Sequence, residues 1–253
     1  MPEYRITPGI IARSLQELKV IQSWVEENDI HSTYPSIVLI GGWAVDSYNQ
    51  WYGSIDIDLV TTSDIRSKLK YYLRKEQDYF ESRKELQMPS GIEKHTKEGN
   101  IIIDFIPKGS DQPFEGKDNP FRFSIIDGKT ERKQIRSACT MDVPNRTILL
   151  VLKLKAVWDR TYRIEHTTSA DPDWDRGKLV KDYADLLALL DPKYGGTDIN
   201  LNDLTEVFET YPFLIQSFLK TKTVAESRER YGRLNKIEIQ RTFDVFEDYF
   251  STK

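Results

Sequence analysis

Ile37-Val-Leu-Ile-Gly41-Gly42-Trp43-Ala-Val-Asp46-Ser-Tyr-Asn-Gln-Trp-Tyr52-Gly53-Ser54-Ile55-Asp56-Ile57-Asp58-Leu59-Val60 sets the architecture of the chain around it. It reads as a buried strand, a glycine turn, a short helix and a second strand carrying two carboxylates. The alternation over residues 54–59 has period two. Ser54, Asp56 and Asp58 therefore point one way, and Ile55, Ile57 and Leu59 point into the core. Two neighbouring carboxylates on one strand face repel unless something positive sits between them. A divalent cation answers this, and hard oxygen ligands suit magnesium. Asp-x-Asp alone equally describes a solvated strand face after an ordinary Gly-Gly turn.

A third carboxylate favours the metal. Ile101-Ile-Ile-Asp104-Phe-Ile106 is another apolar, β-branched run with one Asp in it. An ionised Asp there is costly without a partner. If this strand lies beside the first, Asp104 joins Asp56 and Asp58. Three carboxylates can hold two metals about 3.5–4 Å apart, an arrangement suited to in-line phosphoryl or nucleotidyl displacement.

Outward from this core, residues 9–28 carry Ile10, Ile11, Leu15, Leu18, Ile21 and Trp24 at helical spacing. Thr61-Thr-Ser-Asp64 is an N-cap cluster leading a helix with Ile65, Leu69, Tyr72 and Leu73. Residues 78–98 read as two strands about a turn at Met88-Pro-Ser-Gly91, before the Asp104 strand. Residues 107–120, rich in proline, read as a surface loop. Residues 121–143 read as further strands at the sheet edge. Beyond Pro144-Asn145 nearly everything is helical, including a C-terminal helix over residues 224–250. The fold class expected is α/β (α+β): a mixed sheet with flanking helices over residues 1–144, then a helical bundle over 145–253.

The 253 residues are 39% hydrophobic and 30% charged, enough for a sizeable core, and the formal net charge of −4 gives no global basic signature for nucleic acid, with no DNA partner expected. A single cysteine, Cys139, excludes an internal disulfide and disfavours structural zinc. The start of the sequence lacks an apolar signal core, and no run approaches the roughly 20 apolar residues of a membrane span. These features predict a soluble, cytoplasmic protein. His31, His95 and His166 are scattered, without metal-ligand spacing. Charge is concentrated in residues 129–163, where nine Lys or Arg face three acids. Such a run is ordinarily a solvated face; beside a nucleotide site, some of its lysines would meet triphosphate.

In the helical half, Leu149-Leu-Val-Leu-Lys153-Leu-Lys155-Ala156-Val-Trp-Asp-Arg160 precedes Lys178-Leu-Val-Lys181-Asp182-Tyr-Ala-Asp185-Leu. Lys153 and Lys155 lie about 200° apart on a helix and cannot share a face. On pattern alone, these charges are solvated or paired at i,i+4, as Lys178–Asp182 and Lys181–Asp185.

The motifs together resemble a known family. Gly-Gly, a short helix, Gly-Ser-x-Asp-x-Asp and a distant strand Asp look like the polymerase-β-type nucleotidyltransferase superfamily. Lys-x-x-Ala-x-x-x-Arg and the later basic-Asp-x-x-Asp-Leu look like the closing motifs of AbiEii-type toxin nucleotidyltransferases, the group that includes the MenT-type toxins. The likeness covers residues 38–60, 101–106 and 149–190. By resemblance, Gly41, Gly42 and Ser54 hold a triphosphate, and Asp56, Asp58 and Asp104 hold magnesium, two ions, with manganese an alternative. Lys153 contacts the triphosphate and Asp182 lies at the active site, with Arg160, Lys181 and Asp185 in support. The implied partners are a nucleoside triphosphate, an RNA (tRNA) or protein acceptor and an antitoxin protein. One departure stands out: many of these toxins have Arg-x-Thr before Asp-x-Asp, and here those positions are Tyr52 and Ser54. Gly41-Gly-Trp-Ala-Val-Asp46 also resembles the opening of aminoglycoside and lincosamide nucleotidyltransferases, which implies a drug hydroxyl as acceptor. A module that binds nucleotide or RNA without catalysis is the remaining alternative.

Overall fold

The helical spacing of residues 9–28 becomes α1 (Pro8–Glu27), with Pro8 in its first turn and Thr7 as N-cap, its hydroxyl accepting from Ile10 N–H at 3.3 Å. The computed structural model describes residues 7–28, 35–81 and 91–251. It divides the chain into two compact units, residues 1–112 with 122–145, and residues 113–121 with 146–253. Both α and β structure are extensive, and the fold is mixed α/β. Among the described residues, no helix is long and apolar enough to cross a membrane.

In the first unit, β1 (Ile37–Ile40) leads directly into α2 (Gly41–Tyr48), then β2 (Ile57–Thr61), α3 (Ser63–Glu76), β3 (Phe80–Glu81), β4 (Ile92–Thr96) and β5 (Gly99–Pro107). The sheet order is β1-β2-β5-β4-β3; β2 and β5 run parallel and the other neighbours antiparallel. The parallel pair is the one that needs a long crossover, supplied by residues 62–98. The strand expected to begin at Ser54 begins at Ile57. Gly53 adopts a left-handed φ of +81°, and the Ile55 carbonyl accepts from the Ser14 hydroxyl at 2.8 Å in place of a ladder partner. The turn expected at 88–91 lies, apart from Gly91, outside the described residues.

Residues 130–144 form β6 (Thr130–Ile135) and β7 (Cys139–Pro144), a two-stranded sheet of their own. The reading of 121–143 as edge strands of the main sheet is thereby corrected. Residues 123–126 are a 3-10 turn, so the strand pattern begins too late to extend the main ladder.

The second unit contains α4 (Arg146–Glu165), α5 (Pro172–Leu190), α6 (Leu201–Thr210), α7 (Leu214–Lys220), α8 (Ala225–Tyr231) and α9 (Lys236–Ser251). Residues 148–154 of α4 are buried without a break, as are residues 181–190 of α5. Each fully buried Leu or Ile there contributes about 1.5–3 kcal/mol relative to exposure. Residues 108–120 form the expected, mostly exposed loop, with Phe114 as the buried exception. Phe114 and Phe121 are buried and stack edge-on, centroids 5.2 Å apart, with Lys155 Nζ 4.9 Å from the Phe114 ring. The single helix expected over 224–250 is two helices. Gly232, at φ +68°, closes α8 with its N–H donating to the Arg228 carbonyl.

Candidate active site

Three features of the first unit bring its predicted residues together. In the antiparallel register of β1 and β2, Ile40 faces Asp58, which sets Asp58 beside Gly41, the first residue of α2. In the parallel register of β2 and β5, Asp58 faces Asp104. Asp56 sits immediately before β2 and is half-buried between buried Ile55 and Ile57, as Asp58 is between Ile57 and Leu59. The carboxylates of Asp58 and Asp104 thus arise from directly opposed backbone positions on the two central strands.

Gly41 explains how close the approach is. A Cβ placed on it would lie 1.8 Å from Asp58 Oδ2 and 2.7 Å from Asp58 Cγ, and its φ is +68°. No side chain larger than hydrogen fits that space, and only glycine takes that φ without strain. The Asp58 carboxylate therefore rests against the opening turn of α2, where backbone N–H groups lack intrahelical acceptors and the helix dipole favours anions. Gly42 and Ser54 are both buried, Ser54 at 4% exposure.

The donor set Asp56, Asp58 and Asp104 is all carboxylate oxygen, which suits a hard divalent cation in chemistry and, for Asp58 and Asp104, in register. Among the described residues, no group of three or more His, Cys, Asp or Glu side chains is gathered closely enough to enclose a metal ion. Asp58 and Asp104 hold opposed positions on neighbouring strands, and Asp56 lies two residues before Asp58.

A buried ion pair beside this site was not foreseen. Arg136, in the β6–β7 turn with φ +49°, donates from Nε and Nη2 to the two oxygens of Asp46 on α2, at 2.8 and 3.1 Å. Asp46 is 1% exposed. The guanidinium also lies 5.4 Å from the Trp43 ring, and its Nη2 would be 3.0 Å from a Cβ on Gly53. The Asp46 hydrogen bond, set against burial, raises the Arg136 pKa. Arg136 thus holds α2 through Asp46 and lies close against Gly53. The sequence signal was present: a lone Asp in the apolar helix Gly-Gly-Trp-Ala-Val-Asp requires a cation from elsewhere. Trp43 is core as expected, its Nε1 donating to Ser14 Oγ at 2.9 Å.

In the second unit, Lys153 lies between α4 and α5. Its Nζ is 3.0 Å from Asp182 Oδ1 and 2.6 Å from Asp185 Oδ2. Lys181 joins Asp185 at 2.8 Å, the i,i+4 pair read from the sequence. Arg160 reaches the other oxygen of Asp182, and Arg163 grips Asp175 with two bonds of 3.1 Å. The Asp185 Oδ1 atom is buried without a hydrogen-bond partner. Burial alone would lift the Asp182 carboxyl, but Arg160, Lys153 and Lys181 outweigh it and hold the pKa down to about 2. Burial likewise opposes the charged form of Lys153, and the two aspartates override it, so its pKa is raised. Lys181 goes the other way: burial, with Lys153 nearby, lowers its pKa against the pull of Asp185. As arranged, Lys153 and Asp182 join two helices through a buried ionic network.

The basic window of residues 129–163 is largely neutralised within each unit. Arg132 pairs with Asp142, Lys133 with Glu131 and Lys155 with Asp159, while Arg146 donates to the Leu189 and Tyr194 carbonyls. Its charge is structural far more than solvated. Compared with models of known protein families and with curated proteins, the chain matches none.

Proposed function

We propose that the chain is a metal-dependent nucleotidyltransferase, moving a nucleoside monophosphate from a triphosphate to an acceptor hydroxyl on RNA or protein. The observation that carries this reading is the direct opposition of Asp58 and Asp104 on parallel strands, with Asp58 packed against Gly41. Two carboxylates beside the opening turn of a helix offer cation ligands and phosphate donors at one place.

Magnesium held by Asp56, Asp58 and Asp104 would supply charge neutralisation on the phosphates and a lowered pKa for the acceptor hydroxyl. The Gly41 and Gly42 N–H groups orient the phosphates. Asp104, from its own strand, takes the acceptor proton as the acceptor oxygen bonds to the α-phosphorus and the bond to the β-phosphate oxygen breaks. Ser54 is a phosphate donor only if its turn opens, since it is buried.

The test is incubation with each labelled triphosphate and magnesium, with total RNA, cell lysate or a panel of hydroxyl-bearing antibiotics as acceptor. Label in RNA or protein that vanishes in Asp56→Asn supports the reading. Label confined to a drug would reassign the acceptor. Transfer that survives Asp104→Ala, or magnesium-dependent triphosphate binding that survives Asp56→Asn, would sink the proposed metal site.

A further inference from the structure

α1 buries two polar side chains, Ser14 and Glu17. Glu17 draws cations to itself, with Arg13 Nη2 at 2.5 Å and Lys94 Nζ at 3.1 Å. Ser14 is satisfied differently. A serine inside a helix commonly bonds back to the carbonyl four residues earlier. Here its hydroxyl donates to the Ile55 carbonyl at 2.8 Å, and its oxygen accepts the Trp43 Nε1–H at 2.9 Å. Ser14 and Trp43 are both at 0% exposure, and Ile55 is buried with them. With the indole on an oxygen lone pair, the single hydroxyl proton is left to the Ile55 carbonyl.

The place of that carbonyl in the chain gives the bond its consequence. The Ile55 C=O and the Asp56 N–H belong to one planar peptide unit. A bond fixed on the oxygen therefore sets the plane from which the Asp56 Cα and its side chain depart. Asp58 and Asp104 are held by ladder pairing, each opposite the other on β2 and β5. Asp56 lies one residue before β2, outside both of that strand's ladders. Upstream, Gly53 at φ +81° is the residue type with the least backbone restraint. Between a glycine and the first ladder pair, Ser14 supplies a constraint that the sheet does not.

We propose that Ser14 is a positioning residue for the metal site, orienting the Ile55–Asp56 peptide so that the Asp56 carboxylate is presented with those of Asp58 and Asp104. This rests on the reading of the three aspartates as ligands of a divalent cation. Ser14 touches neither the ion nor a substrate. It acts through Asp56, as the groups behind a metal's ligands do. The Trp43 indole, one residue after Gly42, directs the hydroxyl toward Ile55 from the opening turn of α2.

The experiment titrates the full chain with Mn2+ alone and reads the free ion by electron paramagnetic resonance, so no turnover is needed. Ser14→Ala should weaken Mn2+ binding about tenfold. Alanine suits the interior of α1, and thermal melts establish that the variant is folded. Ser14→Cys, close to serine in volume and a much weaker donor, should weaken binding in the same direction and keeps the test decisive if the alanine variant does not fold. Asp56→Ala removes the ligand itself, and in that background Ser14→Ala should cause no further loss. Trp43→Phe, which spares the Ser14–Ile55 bond, should lower the melting temperature while moving the Mn2+ constant far less than Ser14→Ala. Mn2+ binding undiminished in Ser14→Ala would overturn the proposal. So would a loss repeated in full in the Asp56→Ala background, or one matched by Trp43→Phe, since either marks a general loosening of the core. A wild-type chain that binds no Mn2+ would remove the metal reading and this role together. Binding lost in Asp56→Ala but kept in Ser14→Ala would refute the role of Ser14 alone.

Discussion

Gly41→Ala isolates the contact on which the aspartate site depends. The added methyl would start 1.8 Å from Asp58 Oδ2, so the carboxylate must retreat by about 1.7 Å to reach ordinary contact at about 3.5 Å. The left-handed φ of +68° adds about 1–2 kcal/mol of backbone strain for any residue with a Cβ. Pushing Asp58 off its rotamer adds about 0.5–1.5 kcal/mol. Gly232→Ala is the matched control: its φ is also +68°, and its nearest neighbour is the Glu229 carbonyl oxygen at 3.5 Å, so it carries the backbone strain alone. Urea denaturation should show Gly41→Ala about 1 kcal/mol worse than Gly232→Ala. In an Asp58→Ala background, which removes the clashing oxygen, that excess should disappear, giving a coupling energy of about 1 kcal/mol. Magnesium-dependent triphosphate binding, followed by calorimetry, should fall at least tenfold in Gly41→Ala and stay at wild-type strength in Gly232→Ala. Additive Gly41 and Asp58 substitutions, or full triphosphate affinity in Gly41→Ala, would refute the reasoning.

Three further outcomes follow from the buried charges. Lys153→Met strands Asp182 and Asp185 with fewer cations in a dry interface and should destabilise the second unit by about 3–5 kcal/mol, read from its denaturation midpoint. The Asp182 carboxyl is depressed from its ordinary 3.8 to about 2, so its stabilisation is complete above pH 4 and lost as pH falls toward 2. The stability gap between wild type and Asp182→Asn should therefore close over that window. Burial pushes the Cys139 thiol up to about 11, so thiol reagents at pH 8 should label it slowly in the native chain and rapidly in urea.

The central sheet was legible because its signals are local. Gly-Gly after an apolar run, and Asp amid isoleucines, point to the strands and to the residues that meet between them. The register that opposes Asp58 to Asp104 is set by backbone pairing, and a period-two pattern in each strand is compatible with it. Where the reading slipped, a distant group had replaced a local one. The Ile55 carbonyl takes its bond from Ser14, forty-one residues earlier, and no propensity at 54–56 announces that the ladder will not begin there. The basic window misled for the same reason. Its acids lie mostly outside it in sequence, at Asp46, Asp175, Asp182 and Asp185, so a local count of charge overstated what faces solvent. Glu17 carried no motif, and the motif that ends in Asp46 says nothing of Arg136; only the requirement that a buried carboxylate find cations points to such pairs.

The placement of residues 113–121 bears on how the chain is made. This segment belongs with helices that follow it, its Glu115 N–H donating to Asp159 and its Pro113 carbonyl accepting from Lys155. During synthesis from the N-terminus, Phe114 and Phe121 leave the ribosome before α4 exists to cover them. Until some forty further residues have emerged, two aromatic rings wait exposed between parts of a sheet that can otherwise assemble. A fragment cut at residue 145 would carry that exposure permanently, and the complementary fragment would lack part of its own core. Each unit is compact but neither is continuous in the chain, so neither is a module that recombination could move as a single uninterrupted piece.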